Sequence, residues 1–398
     1  MKKFTLKNGI RVIHVDNKSN ICTIHASVLV GSSNENSTNE GISHVIEHML
    51  FEGTKNRSAE QIAREVEQYG AEMNAYTSTS KTVYHIKIKN TFLKKAAEVL
   101  SDMLINPLFD KKLLKKEKNV ILEEINMIND QPRHYQWIFF EKALLPAPFS
   151  NAPYGSAKRV KAFTTENLKK FHAKYYCAKN TIITVTGKYS NLQHILEETF
   201  GEMNKGKASP KLKCTINNQK RVKIKHKKNL TSEYMVLGYQ VPKRNHPDSY
   251  PIDVIRSILA RGQSGRLFVE VRTKRGLTYD IGVYHDPARD FGFFACHTSA
   301  DSTKIKIIEK IIQEQLDALS TLSKQELKEA ITFIEGNRTL SCEDSQTYAD
   351  MVSFHEECGD ALDFNTYLTK IKKVTKKDIL RVRDTYLNDK YTKIILKK

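Results

Sequence analysis

Residues 43–54 read SHVIEHMLFEGT, and the interpretation of the whole chain turns on them. His44 and His48 are four apart and Glu47 lies three beyond His44, so a helix turning ~100° per residue projects all three from one side. Two neutral imidazoles are good zinc ligands, and a carboxylate that does not bind the metal can take a proton from metal-bound water. The pattern is H-x-x-E-H, the inverted form of the H-E-x-x-H signature. The plain alternative is an amphipathic helix with two ordinary histidines among the 13 in the chain. Two histidines do not close a zinc site; one more Asp, Glu or His must come from elsewhere in the fold.

A downstream stretch, EKNVILEEIN at 117–126, offers Glu117, Glu123 and Glu124 in a segment that reads as helix after Pro107. Glu117 and Glu124 are two helical turns apart and share a face with Val120 and Ile121, whereas Glu123 is turned about 100° away. A carboxylate beside Val and Ile on an inward face needs a partner, either a divalent cation or a buried Lys or Arg. Spacing alone leaves the third ligand open.

In order and spacing, GSSNENSTNEGISHVIEHMLFEGT (31–54), GAEMNAYTSTSKTVYHIKI (70–88) and EKNVILEEIN resemble the pitrilysin/insulinase family of zinc peptidases, the inverzincins, especially its mitochondrial-processing-peptidase-like branch. The resemblance implies one Zn2+ per chain held by His44, His48 and Glu124, with Glu47 as general base and Glu117 as an outer carboxylate supporting the site. It implies substrate contacts at Asn74 and Ala75. Their stretch, EMNAYTST, has few large side chains and suits an exposed edge strand that an extended peptide joins through its backbone; an ordinary strand bent at Asn74 is the plain alternative. In VRTKRGLTYDIGVY (271–284), Arg272 and Tyr279 alone would read as a basic loop running into a strand. In the resembling family an arginine and a tyrosine at these positions reach the substrate backbone and the developing oxyanion, where a cation and a phenol donor are suited to the new charge.

The 398 residues suffice for two domains of ordinary size. With 40% hydrophobic and 27% charged residues, and no run near the ~20 apolar residues of a membrane span, a soluble globular protein with no membrane contact is expected. The start, MKKFTLKNGIRVIHV, alternates like a strand and has no signal-peptide core, which points to a cytoplasmic location. Six cysteines without a C-x-x-C pair suit reduced thiols. The net charge of +19 comes largely from short lysine clusters, 111–118 and 370–377 among them. Few aromatics interleave with them, so a solvated basic surface is expected rather than a nucleic-acid platform, with attraction to acidic peptides or polyanions as the remaining option.

The pattern of elements predicts an α+β chain of two similar domains, each a mainly antiparallel sheet packed with helices. Residues 1–205 form the zinc-binding catalytic domain and 216–398 a homologous non-metal domain that contributes Arg272 and Tyr279, joined by a Gly-, Pro- and Lys-containing linker, 203–213. Where a second zinc motif would fall the chain reads YPIDVIRSILA, with no histidine pair. Single-chain members of the resembling family carry all these motifs in a longer chain. The resemblance therefore implies half of a clamshell, closed by a second copy in a homodimer whose composite active sites use Arg272 and Tyr279 across the interface. The expected activity is that of a zinc metalloendopeptidase acting on short or unfolded polypeptides in a closed chamber. The alternatives are an inactive structural or assembly subunit of the same fold and a polyanion-binding protein.

Overall fold

In the computed structural model, which describes residues 1–398, the chain opens with β1 (Lys2–Thr5), β2 (Arg11–Val15), β3 (Ile21–Val28), α1 (Ile42–Phe51) and α2 (Ala59–Glu67). Next come β4 (Glu72–Thr77), β5 (Thr82–Lys89), α3 (Leu93–Ile105), α4 (Lys111–Asp130) and α5 (Pro132–Leu144). Helices α6 (Ala157–Ala162) and α7 (Thr165–Tyr175), strand β6 (Thr181–Thr186) and helix α8 (Leu192–Phe200) complete the first half. The second half holds β7 (Arg221–His226), β8 (Glu233–Gln240), α9 (Ser249–Ala260), β9 (Asp280–Asp286) and β10 (Phe293–Ala300). It ends with α10 (Ser302–Asp317), α11 (Lys324–Ser341), α12 (Ser345–Cys358), α13 (Asp363–Lys372), α14 (Lys376–Tyr386) and β11 (Thr392–Lys397).

One compact unit consists of residues 1–126, 151–211 and 341–364. Its sheet runs β1-β2-β6-β3-β5-β4, antiparallel except for the β2–β6 pair. Alternation sorts β3 between two environments. Cys22, Ile24, Ala26 and Val28 enter an apolar core shared with α1 and α3. Thr23, His25 and Ser27 face α12, where Thr23 and Ser345 hydroxyls lie 2.8 Å apart and those of Ser27 and Ser353 3.0 Å apart. Helix α2 starts at a capping box in which Ser58 and Gln61 satisfy each other's backbone amides, and the chain turns away at Gly70 with φ +65°.

The second unit takes residues 127–150, 212–340 and 365–398. Its sheet runs β7-β11-β8-β10-β9, with only β7 and β11 parallel. Phe140 and half-buried Trp137 of α5 pack over Val236, Phe293 and Ile394 on one face. Tyr250, Ile255, Ile308, Ile312 and Val382, from α9, α10 and α14, belong to the core on the other. A single boundary near residue 205 was expected, but each unit takes a segment from beyond that point. The apolar side chains of α5 find their partners on the second sheet, and the polar face of α12 finds its partners on the first.

Where the second zinc motif would fall, α9 carries Asp253. Its carboxylate accepts two bonds from the Arg244 guanidinium (2.7 and 3.2 Å), one from the His285 ring (2.8 Å) and one from the Tyr367 hydroxyl (2.9 Å). Burial opposes its ionisation, yet Arg244 and His285 outweigh burial and hold the carboxyl well below the usual range. An ion-pair network thus fills the position where a metal site would stand.

Candidate metal centre

Helix α1 has no side chain to cap its start, because the residue before it is Gly41 with φ +89°. Glu35, buried in the preceding loop, substitutes: its two oxygens accept the Gly41 and Ser43 amides at 2.6 and 2.9 Å. Gly155 presses against the same turn, and a Cβ there would sit 2.4 Å from the Glu40 carbonyl oxygen. Its φ of +67° is likewise a glycine conformation. The helix start is thereby fixed before its first functional residue.

From α1, the His44 and His48 rings stand 4.7 Å apart, edge to face. Their Nε2 atoms lie 3.6 and 3.5 Å from one and the same oxygen, Oε2 of Glu124 on α4. The three donor atoms fall within 4.8 Å of one another. Ligands about 2.0–2.1 Å from a tetrahedral zinc would stand about 3.3 Å apart, so two imidazole nitrogens and a carboxylate oxygen at these spacings fit such an ion. Glu117, one face-sharing position earlier on α4, places Oε2 3.2 Å from Nδ1 of His48. That carboxylate assigns the Nδ1 proton and leaves the Nε2 lone pair aimed at the cluster.

Electrostatics treat the two imidazoles differently. Burial, then the neighbouring His48, pulls His44 down to about 4, so it is neutral near pH 7. Burial works on His48 in the same direction, but its bonds to Glu124 and Glu117 prevail and raise it. The His48 contact lowers Glu124. Glu47, on the same side of α1, is pushed up to about 7 by burial, against the opposing effects of Thr77 and His48. The Thr77 hydroxyl donates to Glu47 Oε2 at 2.5 Å.

The expected inward face of α4 needs one correction. Leu114, Glu117, Ile121 and Ile125 are its buried positions, whereas Val120 is 46% exposed. The buried stripe is centred on the Ile121 side of Glu117, which leaves Val120 outside it and puts Glu124 on its margin. That margin is why the Glu124 side chain keeps 33% of its exposure. Glu123 points to solvent.

Asn74 and Ala75 lie on β4, the terminal strand of the first sheet, which pairs only with β5. Asn74 Oδ1 accepts the Ala75 amide at 2.8 Å. Ala75 packs toward the core that contains α1, and Thr77, two residues on, faces the same way. Sequence reasoning missed Thr77, although period-two alternation from Ala75 would have found it. It also missed Glu35, whose signal was a carboxylate among the turn-forming residues just before a helix.

Arg272 and Tyr279 belong to the second unit. A π-helical turn, Phe268–Thr273, carries Arg272, and its guanidinium lies 4.8 Å from the ring centres of both Phe268 and Tyr279. Tyr279 is 85% exposed, on the wall of a pocket of about 340 Å³.

Comparison with known proteins identifies a family. Residues 11–157 match the family described as insulinase, peptidase family M16, and residues 162–333 the peptidase M16 inactive domain. A Bacillus subtilis (strain 168) protein named as an uncharacterized zinc protease is 30% identical over 354 residues, covering 87% of this chain and 86% of its own. The zinc protease PqqE of Helicobacter pylori is 26% identical over 404 residues, 97% of this chain and 90% of its own. The crystal structure of a protease from Helicobacter pylori superposes with a TM-score of 0.94 at 25% identity, covering 100% of this chain and 99% of that one. A Pseudomonas fluorescens structure described as a peptidase M16 inactive domain shares the fold, with a TM-score of 0.89. No helix is long and apolar enough to cross a membrane. With two M16 domain matches in tandem and a relative at this identity over most of its length, the chain belongs to the insulinase peptidase family, M16.

Proposed function

We propose that the chain is a zinc-dependent endopeptidase that hydrolyses short or unfolded polypeptides. The observation that carries this reading is the convergence of His44 Nε2, His48 Nε2 and Glu124 Oε2, with the half-buried Glu47 carboxylate on the same face of α1. A zinc ion held by these three would polarise the scissile carbonyl and acidify a water molecule. Thr77 ties down Oε2 of Glu47, which assigns proton transfer to Oε1. There Glu47 takes the proton from the attacking water and returns it to the leaving amine nitrogen. Glu117 keeps the His48 ring turned for binding. Edge strand β4 accepts the substrate as an added strand.

The test is metal analysis alongside cleavage of a quenched peptide library and of an unfolded protein. About one zinc per chain is expected, with cleavage abolished by a chelator and restored by added zinc. A chain without zinc, or cleavage indifferent to the chelator, would refute the reading. Zinc without cleavage would favour the second reading, an inactive subunit. That reading draws on the inactive-domain match at 162–333, although the match covers the half without the histidine pair.

We further propose that the chain works as a homodimer in which Arg272 and Tyr279 of one copy serve the metal centre of the other, enclosing a chamber that admits only unfolded chains. Mixed dimers of a Glu47→Gln chain with an Arg272→Ala chain should then recover activity that neither homodimer shows. No recovery in verified mixed dimers would refute sharing between copies.

A further inference from the structure

Strand β4 is held from both faces. On the α1 side Thr77 bonds Glu47. On the opposite side the Tyr76 hydroxyl donates to Asp350 Oδ1 at 2.5 Å. At the β4–β5 turn, Lys81 Nζ lies 3.1 Å from the same Asp350 oxygen and 3.3 Å from Glu357 Oε2, and Ser80 donates to Glu357 Oε1 at 2.8 Å. Asp350 and Glu357 are seven apart on α12, two turns along one face. The turn is closed by Ser78, whose amide and hydroxyl both donate to the Lys81 carbonyl, at 2.8 and 3.1 Å.

Two physical points give these contacts weight. A terminal strand has a ladder on one edge only, so its free edge stays in place only if its side chains are anchored. The Lys81 side chain is also only 9% exposed, and an ammonium buried so far is strongly disfavoured unless it is paired. Two carboxylates supplied by one helix meet that need at the point where β4 turns back into β5.

We propose that Asp350 and Glu357 are positioning residues for the substrate-accepting edge: through Tyr76, Ser80 and Lys81 they fix β4 from behind and so hold Thr77 against Glu47. This rests on the peptidase reading for its consequence, though not for its geometry. The anchor for β4 is a helix that begins almost 270 residues later, and Asp350 lies on the face of the strand opposite Glu47.

The experiment compares Tyr76→Phe, Asp350→Asn and their combination with Arg11→Gln, all in the full chain. Arg11 pairs with Glu356 of the same helix at 3.1 Å, but on β2, away from β4. Two readouts are used: amide exchange of residues 76–81, and affinity for an extended peptide measured with Glu47→Gln also present so that the peptide is not cleaved. The first two variants are expected to speed exchange about tenfold and weaken peptide binding about tenfold. The combination should be no worse than Asp350→Asn alone, since that variant weakens the Tyr76 contact as well as the Lys81 pairing, and Arg11→Gln should change neither readout. Unchanged exchange in the β4 variants, or an equal loss in Arg11→Gln, would overturn the proposal. Failure of the unmodified chain to cleave any peptide would fall on the peptidase reading, because exchange at β4 reads the anchoring without any turnover.

Discussion

Replacing Glu47 with glutamine is expected to lower kcat by about 10³-fold, within the ~10²–10⁴ that a positioned acid–base group contributes, while bound zinc stays at the level of the unmodified chain. The amide has the shape of the carboxylate and can still accept the Thr77 hydroxyl through its oxygen, so the fold and the three donor atoms are left alone. What it cannot do is take a proton from water and pass it to an amine. Metal analysis and single-turnover cleavage on the same preparation separate the two effects. A rate within a few-fold of the original would remove Glu47 from the chemistry. Loss of zinc together with activity would instead make Glu47 a structural neighbour of the ligands.

The second large effect lies in the other unit. Asp253→Ala should destabilise the protein by about 3–5 kcal/mol, because it removes the carboxylate that pairs with the buried Arg244 guanidinium and accepts the His285 and Tyr367 hydrogen bonds. Urea unfolding followed by tryptophan fluorescence reports it directly, since the single tryptophan, Trp137, packs in the same unit. A loss below about 1 kcal/mol would put the network in the class of exposed ion pairs. The variant should still bind zinc when folded, because His44, His48 and Glu124 all lie in the first unit.

Much of the first unit was legible because its signals are local. The H-x-x-E-H spacing placed three side chains on one helical face, and the small side chains of EMNAYTST marked an edge strand where β4 lies. The resemblance supplied the distinction that periodicity could not, between Glu123 and Glu124. Among the helices that stayed hidden, α5 and α12 did so for different reasons. In α5 the apolar residues include Trp137, Phe139 and Phe140 without a clean stripe, since one side packs on a sheet whose strands begin only at Arg221. In α12 the residues that meet the sheet mix polar ones, Ser345, Asp350, Ser353 and Glu357, with apolar Val352. A contact face interrupted by polar groups has no clean apolar period to read. The contiguous domain boundary failed from the same cause, because both helices lie on the far side of it from their sheets.

Helix α12 also has a consequence for how the molecule is made. The back of the first sheet, with His25, Ser27 and the Lys81 ammonium, is covered by residues 345–358. During synthesis the amino-terminal strands and the motif helix emerge early, yet their cover leaves the ribosome only after the body of the second unit has been made. The nascent first unit must therefore wait, with a sheet face that carries Ile13, Val15 and Ile182 beside its polar groups open to water and the edge beside Glu47 unanchored. On the peptidase reading proposed above, the anchored edge is therefore completed only late in translation.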